Sequence, residues 1–141
     1  MNREELKKIL PHREPMLLLD ESELIGDEAV SSYTVRGDEF FMQGHFPGKP
    51  VVPGVILCEI MAQGSALIMS DLMSRSIPLY AGLDGARFKR MVVPGDTVSV
   101  KARMISRRGN IFFVEAVATV EGEMCSRGKL TFMLIDKETW N

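Results

Sequence analysis

The feature that most constrains the fold is an apolar stretch in the middle of the chain. Residues 55–73 carry long unbranched and small side chains with few helix breakers, which predicts one helix of about five turns. Apolar residues fall on nearly every face of that helix, and such a helix has to be surrounded by protein. The rest of the chain must therefore wrap around it.

The flanking segments have the alternation and turn signals of β-strands. Two strands are predicted before the helix, separated by Gly26-Asp27, and up to four after it, punctuated by residues 94–96 (PGD), 108–110 (RGN) and 121–123 (EGE). The predicted strands are residues 16–25, 29–36, 80–89, 97–106, 111–120 and 124–135. This order predicts the α+β class, with a curled antiparallel sheet packed around one central helix.

Length and composition point to a single domain spanning residues 1–141. The chain has 141 residues, 45% of them hydrophobic, which suits one sizeable core. A short N-terminal helix is indicated by Leu6, Ile9 and Leu10 at helical spacing, and Pro11 should end it. The charged N-terminus lacks the apolar run of a signal peptide.

The charge balance and the cysteines exclude several functional classes. There are 17 Lys and Arg against 19 Asp and Glu, so the basic excess of a nucleic-acid binder is absent. Cys58 and Cys125 make neither a metal pair nor a disulfide framework, which fits a cytoplasmic location. Residues 55–69 include Glu59 and Gln63 and fall short of the roughly 20 apolar residues of a membrane span. We therefore expect no membrane span.

Neither a metal nor a cofactor is expected. His12 and His45 are the only histidines, and neither lies at ligand spacing from another ligand residue. No glycine-rich nucleotide fingerprint follows a strand. Ser65 lacks the surroundings of a nucleophile elbow and is predicted to lie inside the helix as a packing residue, while Cys58 is predicted to be an inert core thiol.

His45 is the first candidate catalytic residue. It lies in residues 44–54, where prolines and glycines make up six of eleven positions and predict a shaped loop. Preorganisation of this kind suits a catalytic base. The structural alternative is a histidine satisfied by a backbone carbonyl in a tight loop.

Glu59 is the second candidate, because it is a carboxylate in the most apolar segment of the chain. Without a partner it would tend to hold its proton, and a carboxylic acid protonated at neutral pH can act as a general acid. The structural alternative is an acid that is hydrogen-bonded to Gln63 one turn further along.

Gly54 is the third candidate, because unpaired N–H groups at a helix start can hold an oxyanion and a glycine lets a ligand approach closely. An ordinary helix start would have the same sequence. Together the three residues suit β-elimination of water: a neutral histidine removes a proton beside a thioester carbonyl, N–H groups stabilise the enolate, and an acid protonates the departing hydroxyl. Hydrolysis by a carboxylate-activated water stays open.

The segments that contain these three residues, and several others, make the chain resemble the 3-hydroxyacyl-acyl-carrier-protein dehydratases of bacterial type II fatty-acid synthesis, which have the hot-dog fold. The resemblance spans nearly the whole chain, and the 14-residue step from His45 to Glu59 is typical of that family. The matching blocks are residues 10–13 (LPHR), 44–48 (GHFPG), 50–55 (PVVPGV), 59–63 (EIMAQ), 81–84 (AGLD), 86–90 (ARFKR) and 93–96 (VPGD).

The resemblance implies that His45 and Glu59 form the catalytic pair, with His45 of one subunit facing Glu59 of its dimer partner. It also implies that the Gly54 amide polarises the thioester carbonyl, that an apolar tunnel takes the acyl chain, and that three dimers form a hexamer. A glutamate at position 59, in place of aspartate, is typical of the branch that only dehydrates. The chain departs from the family's His-Arg-Tyr-Pro-Phe at Glu14 and Met16.

The expected partner is acyl carrier protein, which is acidic. Seven basic residues offer a docking patch for it, although basic residues at a solvated sheet edge would look the same. These residues are Arg87, Lys89, Arg90, Lys101, Arg103, Arg107 and Arg108. The competing functions are a hot-dog acyl-thioesterase, which the intact loop around His45 disfavours, and a non-catalytic acyl-thioester-binding subunit.

Overall fold

The computed structural model describes residues 1–140 and contains one six-stranded antiparallel sheet with helical segments packed on one of its faces. The sheet order is β1-β2-β4-β5-β6-β3. The elements are α1 (Arg3–Leu6), β1 (Glu21–Ile25), β2 (Glu28–Thr34), a 3-10 turn (Phe40–Met42), α2 (Gly54–Gln63), a second 3-10 turn (Ala66–Met69), α3 (Ser70–Met73), β3 (Ser76–Phe88), β4 (Thr97–Arg108), β5 (Ile111–Val120), β6 (Glu123–Asp136) and α4 (Lys137–Trp140).

The strands bury one face and expose the other. On β4, Val98, Val100 and Ala102 are fully buried while the residues between them are exposed, and on β5 buried residues alternate with half-buried ones. This alternation is what a sheet with one face on the core requires. The predicted α+β class with a sheet around a central helix is confirmed.

The central helix is interrupted, which corrects the prediction of one continuous helix over residues 55–73. A turn at Gly64 and Ser65 separates α2 from the second 3-10 turn. A Cβ at Gly64 would lie 2.9 Å from Cγ1 of Val100, so the backbone packs directly on β4 there. Ser65 lies in this turn and not inside a helix, and its hydroxyl donates to the Met61 carbonyl at 2.8 Å, a bond that bends helices. Ser65 is therefore a packing residue, as expected.

The first predicted strand is too long at its N-terminal end. Residues 16–20 are not a strand, because Leu17, Leu18 and Leu19 are all buried and strand alternation would expose the middle one. The Leu18 N–H donates to the Gln63 side chain at 2.8 Å, so this backbone pairs with the helix and not with a neighbouring strand. The other strand boundaries agree with the prediction to within a few residues, and β5 agrees at both ends.

By length and composition alone, Gly54–Met73 would suffice to cross a bilayer, with a mean hydropathy of 1.5 over its most apolar window. This corrects the expectation that the segment falls short. Some 56% of that window is buried inside the protein, and the core helix of a globular domain passes the same test. The interpretation of this segment as a core helix is confirmed by its packing.

Candidate active site

Glu59 lines a small, mostly apolar cavity between α2 and the sheet. The cavity has a volume of about 50 Å³ and is bounded by residues of four parts of the chain. Its lining consists of Leu10, His12, Glu59, Ala62, Gln63, Ala66, Met69, Pro78, Tyr80 and Phe132. An acid that faces an apolar cavity is suited to act on a ligand whose other end is apolar.

Gln63 holds the Glu59 carboxylate by one oxygen. The Gln63 Oε1 accepts from the Leu18 N–H, so the amide must present Nε2 on its other side, where it donates to the Met16 carbonyl at 2.7 Å and to Glu59 Oε2 at 2.8 Å. The hydrogen bond expected under the structural alternative is therefore present. It also orients the acid, because Gln63 is only 2% exposed and has every polar group of its side chain engaged.

His12 approaches the same oxygen from the N-terminal segment. Its Nε2 lies 3.4 Å from Glu59 Oε2. The His12 Nδ1 is buried and has no hydrogen-bond partner among residues 1–140. With Gln63 and His12 both at Oε2, the other carboxylate oxygen, Oε1, is left free to exchange a proton with a ligand.

Tyr80 completes the polar end of the cavity. Burial, and then the nearby Cys58 and Glu59, raise the pKa of Tyr80, so its hydroxyl keeps its proton at neutral pH. Burial also raises the pKa of Cys58, which fits the prediction of an inert thiol.

His45 is held with one nitrogen free. Its Nδ1 lies 2.9 Å from the Val51 carbonyl oxygen, which can only accept, so Nδ1 carries a proton and, in the neutral ring, the lone pair lies on Nε2. The ring stacks on Phe46 at a centroid distance of 4.3 Å. The carbonyl contact of the structural alternative is present here too, and it leaves the neutral tautomer that a base needs.

Gly54 begins α2, as expected for an oxyanion-binding amide. In the part of the chain that the structure describes, no acceptor lies within hydrogen-bond distance of the N–H groups of Gly54 and Val55. A Cβ at Gly54 would lie 3.1 Å from the ring of Phe88, which closes one side of the helix start. Phe88 is 53% exposed, so this ring has room to move.

Within one chain His45 and Glu59 are not brought together. Among residues 1–140, no hydrogen bond or ion pair joins the two side chains, and the cavity that contains Glu59 does not include His45. No three His, Cys, Asp or Glu side chains of this described part are grouped so that they could hold a metal ion. His45 and Glu59 therefore lie in two separate places of one chain, which we call the His45 half-site and the Glu59 half-site.

The sequence analysis missed the roles of His12 and Tyr80 at the Glu59 half-site. His12 was noted as a histidine without ligand spacing and as a member of a matching block, and Tyr80 only as the start of a strand. Both residues are far from Glu59 in the sequence but line the same cavity, and no local sequence pattern can predict such an arrangement.

The comparisons with known proteins decide the family. The model of the FabA-like domain matches residues 10–129. The chain belongs to the FabA-like family. This FabA-like chain is 43% identical over 137 residues to a 3-hydroxyacyl-[acyl-carrier-protein] dehydratase FabZ of Clostridium perfringens, covering 95% of this chain and 99% of that protein. It is 40% identical over 132 residues to the FabZ of Petrotoga mobilis, covering 92% and 95%.

Solved structures support the hot-dog fold of this FabA-like chain. The dehydratase heterocomplex ApeI:P of Xenorhabdus doucetiae superposes with a TM-score of 0.82 at 18% identity, covering 94% of this chain and 92% of that one. A thioesterase of Haemophilus influenzae superposes with a TM-score of 0.65 at 21% identity, covering 84% and 78%. At these identities the likeness shows the fold alone.

Glu14, one of the two departures from the family pattern, has a structural role in this FabA-like chain. Its carboxylate lies 3.0 Å from Lys7 Nζ and 3.3 Å from an Arg3 nitrogen. A hydrogen bond from its own backbone N–H, followed by Lys7 and Arg3, lowers the pKa of Glu14 to about 2. Glu14 thus ties the segment that carries His12 to α1.

Proposed function

We propose that this chain is a hydro-lyase that dehydrates (3R)-hydroxyacyl-[acyl-carrier-protein] to trans-2-enoyl-[acyl-carrier-protein] in fatty-acid synthesis. The observation that carries the proposal is the Glu59 carboxylate, held by one oxygen at the polar end of an apolar cavity. The near full-length identity to proteins named as FabZ dehydratases supports the same reaction. The site of action would be the cytoplasm.

In the proposed mechanism His45 is the base and Glu59 the acid. The free Nε2 of His45 removes the proton on the carbon next to the thioester carbonyl, and the Gly54 N–H stabilises the enolate oxygen that forms. The free Oε1 of Glu59 gives its proton to the departing hydroxyl, and Gln63 keeps that carboxyl in place. No cofactor takes part in these steps.

The two half-sites require a second subunit, and β3 is the surface that would bind it. This strand is an edge of the sheet and is thirteen residues long, none of them fully buried, with apolar Leu83 and Phe88 open to solvent. A long unpaired edge of this kind favours pairing with another chain. We propose a dimer in which His45 of one subunit meets Glu59 of its dimer partner, with three dimers forming a hexamer.

Basic residues next to Gly54 would receive the carrier protein. Lys89 and Arg90 border the same surface cleft as Gly54, whereas Lys101, Arg103, Arg107 and Arg108 lie on β4. Of the basic residues in the predicted patch, Lys89 is therefore the better placed to bind a carrier whose thioester reaches the helix start. Arg90 also pairs with Glu123 at 3.5 Å.

The test is incubation of the purified protein with a 3-hydroxyacyl thioester on carrier protein, with the products followed by mass. Loss of water with the thioester intact is expected. Release of free acid would favour the thioesterase, and absence of turnover at every chain length would favour a binding subunit. The same assay applied to a mixture of inactive His45→Ala and Glu59→Ala proteins should regain activity on subunit exchange, because one site of a mixed dimer keeps both groups.

A further inference from the structure

The backbone segment to which Gln63 is bonded, residues 16–19, also forms hydrogen bonds at its other edge. The Met16 carbonyl and the Leu18 N–H bond to the Gln63 side chain. The carbonyls of Leu17 and Leu19 bond instead to the side chain of Arg3. Residues 16–19 are thus bonded to two side chains, where a β-strand would be bonded to two neighbouring strands.

Arg3 is well suited to this second edge. Its Nη1 donates to the Leu19 carbonyl at 2.8 Å, and its Nη2 donates to the Leu17 carbonyl at 2.9 Å. Both leucines are buried, and among residues 1–140 no other donor lies within hydrogen-bond distance of these carbonyls. The planar guanidinium presents both donors in one fixed geometry, which a lysine ammonium does not.

The first residues of the chain fix the position of Arg3. The Met1 amino group donates to the Ser22 carbonyl at 2.8 Å, and the Ser22 N–H donates back to the Met1 carbonyl at 3.0 Å. Asn2 caps α1 by accepting from the Glu5 N–H at 2.9 Å. Arg3 is the first residue of α1, so its side chain starts from a backbone that is already bonded to β1.

A shift of residues 16–19 would reach the acid through Gln63. The Gln63 side chain bonds only to this segment and to Glu59 among residues 1–140. If the segment moves, Gln63 either follows it and leaves Glu59 Oε2, or stays and loses its backbone partners. In both cases the Glu59 carboxyl loses the orientation that the intact arrangement gives it.

We propose that Arg3 is a positioning residue for the acid: it fixes residues 16–19, which fix Gln63, which fixes the carboxyl of Glu59. The proposal rests on the proposed dehydration, in which Glu59 gives its proton to the departing hydroxyl. Arg3 does not line the cavity at Glu59 and has no hydrogen bond to that residue. Its loss should therefore slow the proton transfer and not weaken substrate binding.

The experiment compares kcat and KM of the unaltered full-length protein and of Arg3→Met, at a temperature at which circular dichroism shows both to be folded. A misplacement of about 1 Å can cost on the order of a hundredfold in rate, so a smaller shift passed through Gln63 should lower kcat roughly tenfold. KM should change by less than about twofold. Arg3→Lys keeps the charge without the planar pair of donors, so its kcat should lie between the two.

Arg36→Met is the matched control. Arg36 donates to the Thr34 carbonyl at 3.1 Å and, at 2.7 Å, to the same Asp20 oxygen that Arg3 approaches at 3.4 Å. It has no hydrogen bond to residues 16–19. Its replacement should therefore lower stability and leave kcat unchanged.

A double-mutant cycle with Gln63→Leu distinguishes positioning from general destabilisation. If Arg3 acts through Gln63, Arg3→Met should cause no further loss of kcat in the Gln63→Leu protein, whereas independent losses would multiply. The same cycle followed by urea unfolding needs no activity and should give a non-additive loss of stability. If the double variant does not fold, Arg3→Lys replaces Arg3→Met in both cycles.

Two results would overturn the role of Arg3: losses of kcat that multiply in the cycle, or equal losses of kcat in Arg3→Met and Arg36→Met. A protein that removes water from no 3-hydroxyacyl thioester would contradict the dehydration itself. In that case the urea cycle still tests the link between Arg3 and Gln63, and additive losses of stability would refute it.

Discussion

Gln63 joins three parts of the molecule, and its replacement by leucine is the sharpest test of how the acid is held. Gln63→Leu keeps the approximate volume and removes three hydrogen bonds, to Leu18 N–H, the Met16 carbonyl and Glu59. Leu18 is 1% exposed, so its N–H would be left buried without an acceptor, whereas Met16 is 38% exposed and its carbonyl has a route to water.

The burial of these groups determines how much stability the protein is expected to lose. An unsatisfied buried donor costs about 1–3 kcal/mol, and the lost hydrogen bond to Glu59 contributes about 0.5–1.5 kcal/mol more. We therefore expect Gln63→Leu to lower the free energy of unfolding by roughly 1.5–4.5 kcal/mol. Loss of the hydrogen bond that orients Glu59 should also lower kcat for dehydration more than it changes KM, because leucine keeps the bulk of the Gln63 side chain in the cavity wall.

Urea unfolding at one fixed protein concentration measures the first effect, since the dimer that we propose would make stability depend on concentration. The matched control is Gln43→Leu, in which the glutamine is exposed and the change should stay within about 0.5 kcal/mol. If Gln63→Leu unfolds at the same urea midpoint as the control, the hydrogen-bonded role of Gln63 is wrong.

Three further changes test other parts of the structure. Gly64→Ala should destabilise the protein by about 1–3 kcal/mol, because the new Cβ would meet Val100, and added Val100→Ala should recover part of that loss in thermal unfolding. Because the folded protein lowers the pKa of Glu14 from 4.5 to about 2, its contribution is complete above pH 4.5 and is lost as the pH falls towards 2. The stability difference from Glu14→Gln should therefore shrink over that range, and a constant difference would contradict the ion pairs. The Cys58 and Cys125 thiols are buried with raised pKa values, so a thiol reagent should label them slowly until urea unfolds the protein.

Local pattern was enough to predict most of the architecture. The alternation of β5 predicted its bounds at both ends, and the all-round apolar residues of the central segment predicted that protein would surround it. Glu59 and Gln63 are one turn apart, so helical spacing had already offered their hydrogen bond as the structural alternative for Glu59.

Contacts between distant residues were not predictable in this way. The break at Gly64 depends on Val100, which lies on a strand thirty-six residues later. The sequence of residues 55–73 alone does not predict this contact. The placement of His12 beside Glu59 depends on how the segment after Pro11 crosses the helix. Leu17, Leu18 and Leu19 were predicted to belong to a strand. The composition of this segment does not show that the Leu18 N–H donates its hydrogen bond to the Gln63 side chain and not to a neighbouring strand.

The interruption at Gly64 and Ser65 also divides the central helix into two units. The unit before it carries Gly54, Glu59 and Gln63, and the unit after it carries Met69. The backbone hydrogen bonds across the break are of the 3-10 type: the Ser65 N–H donates to the Ala62 carbonyl, and the Ile68 N–H donates to the Ser65 carbonyl. The change of direction at Gly64 and Ser65 separates the part of the helix that holds the acid from the part that packs on β1 and β2.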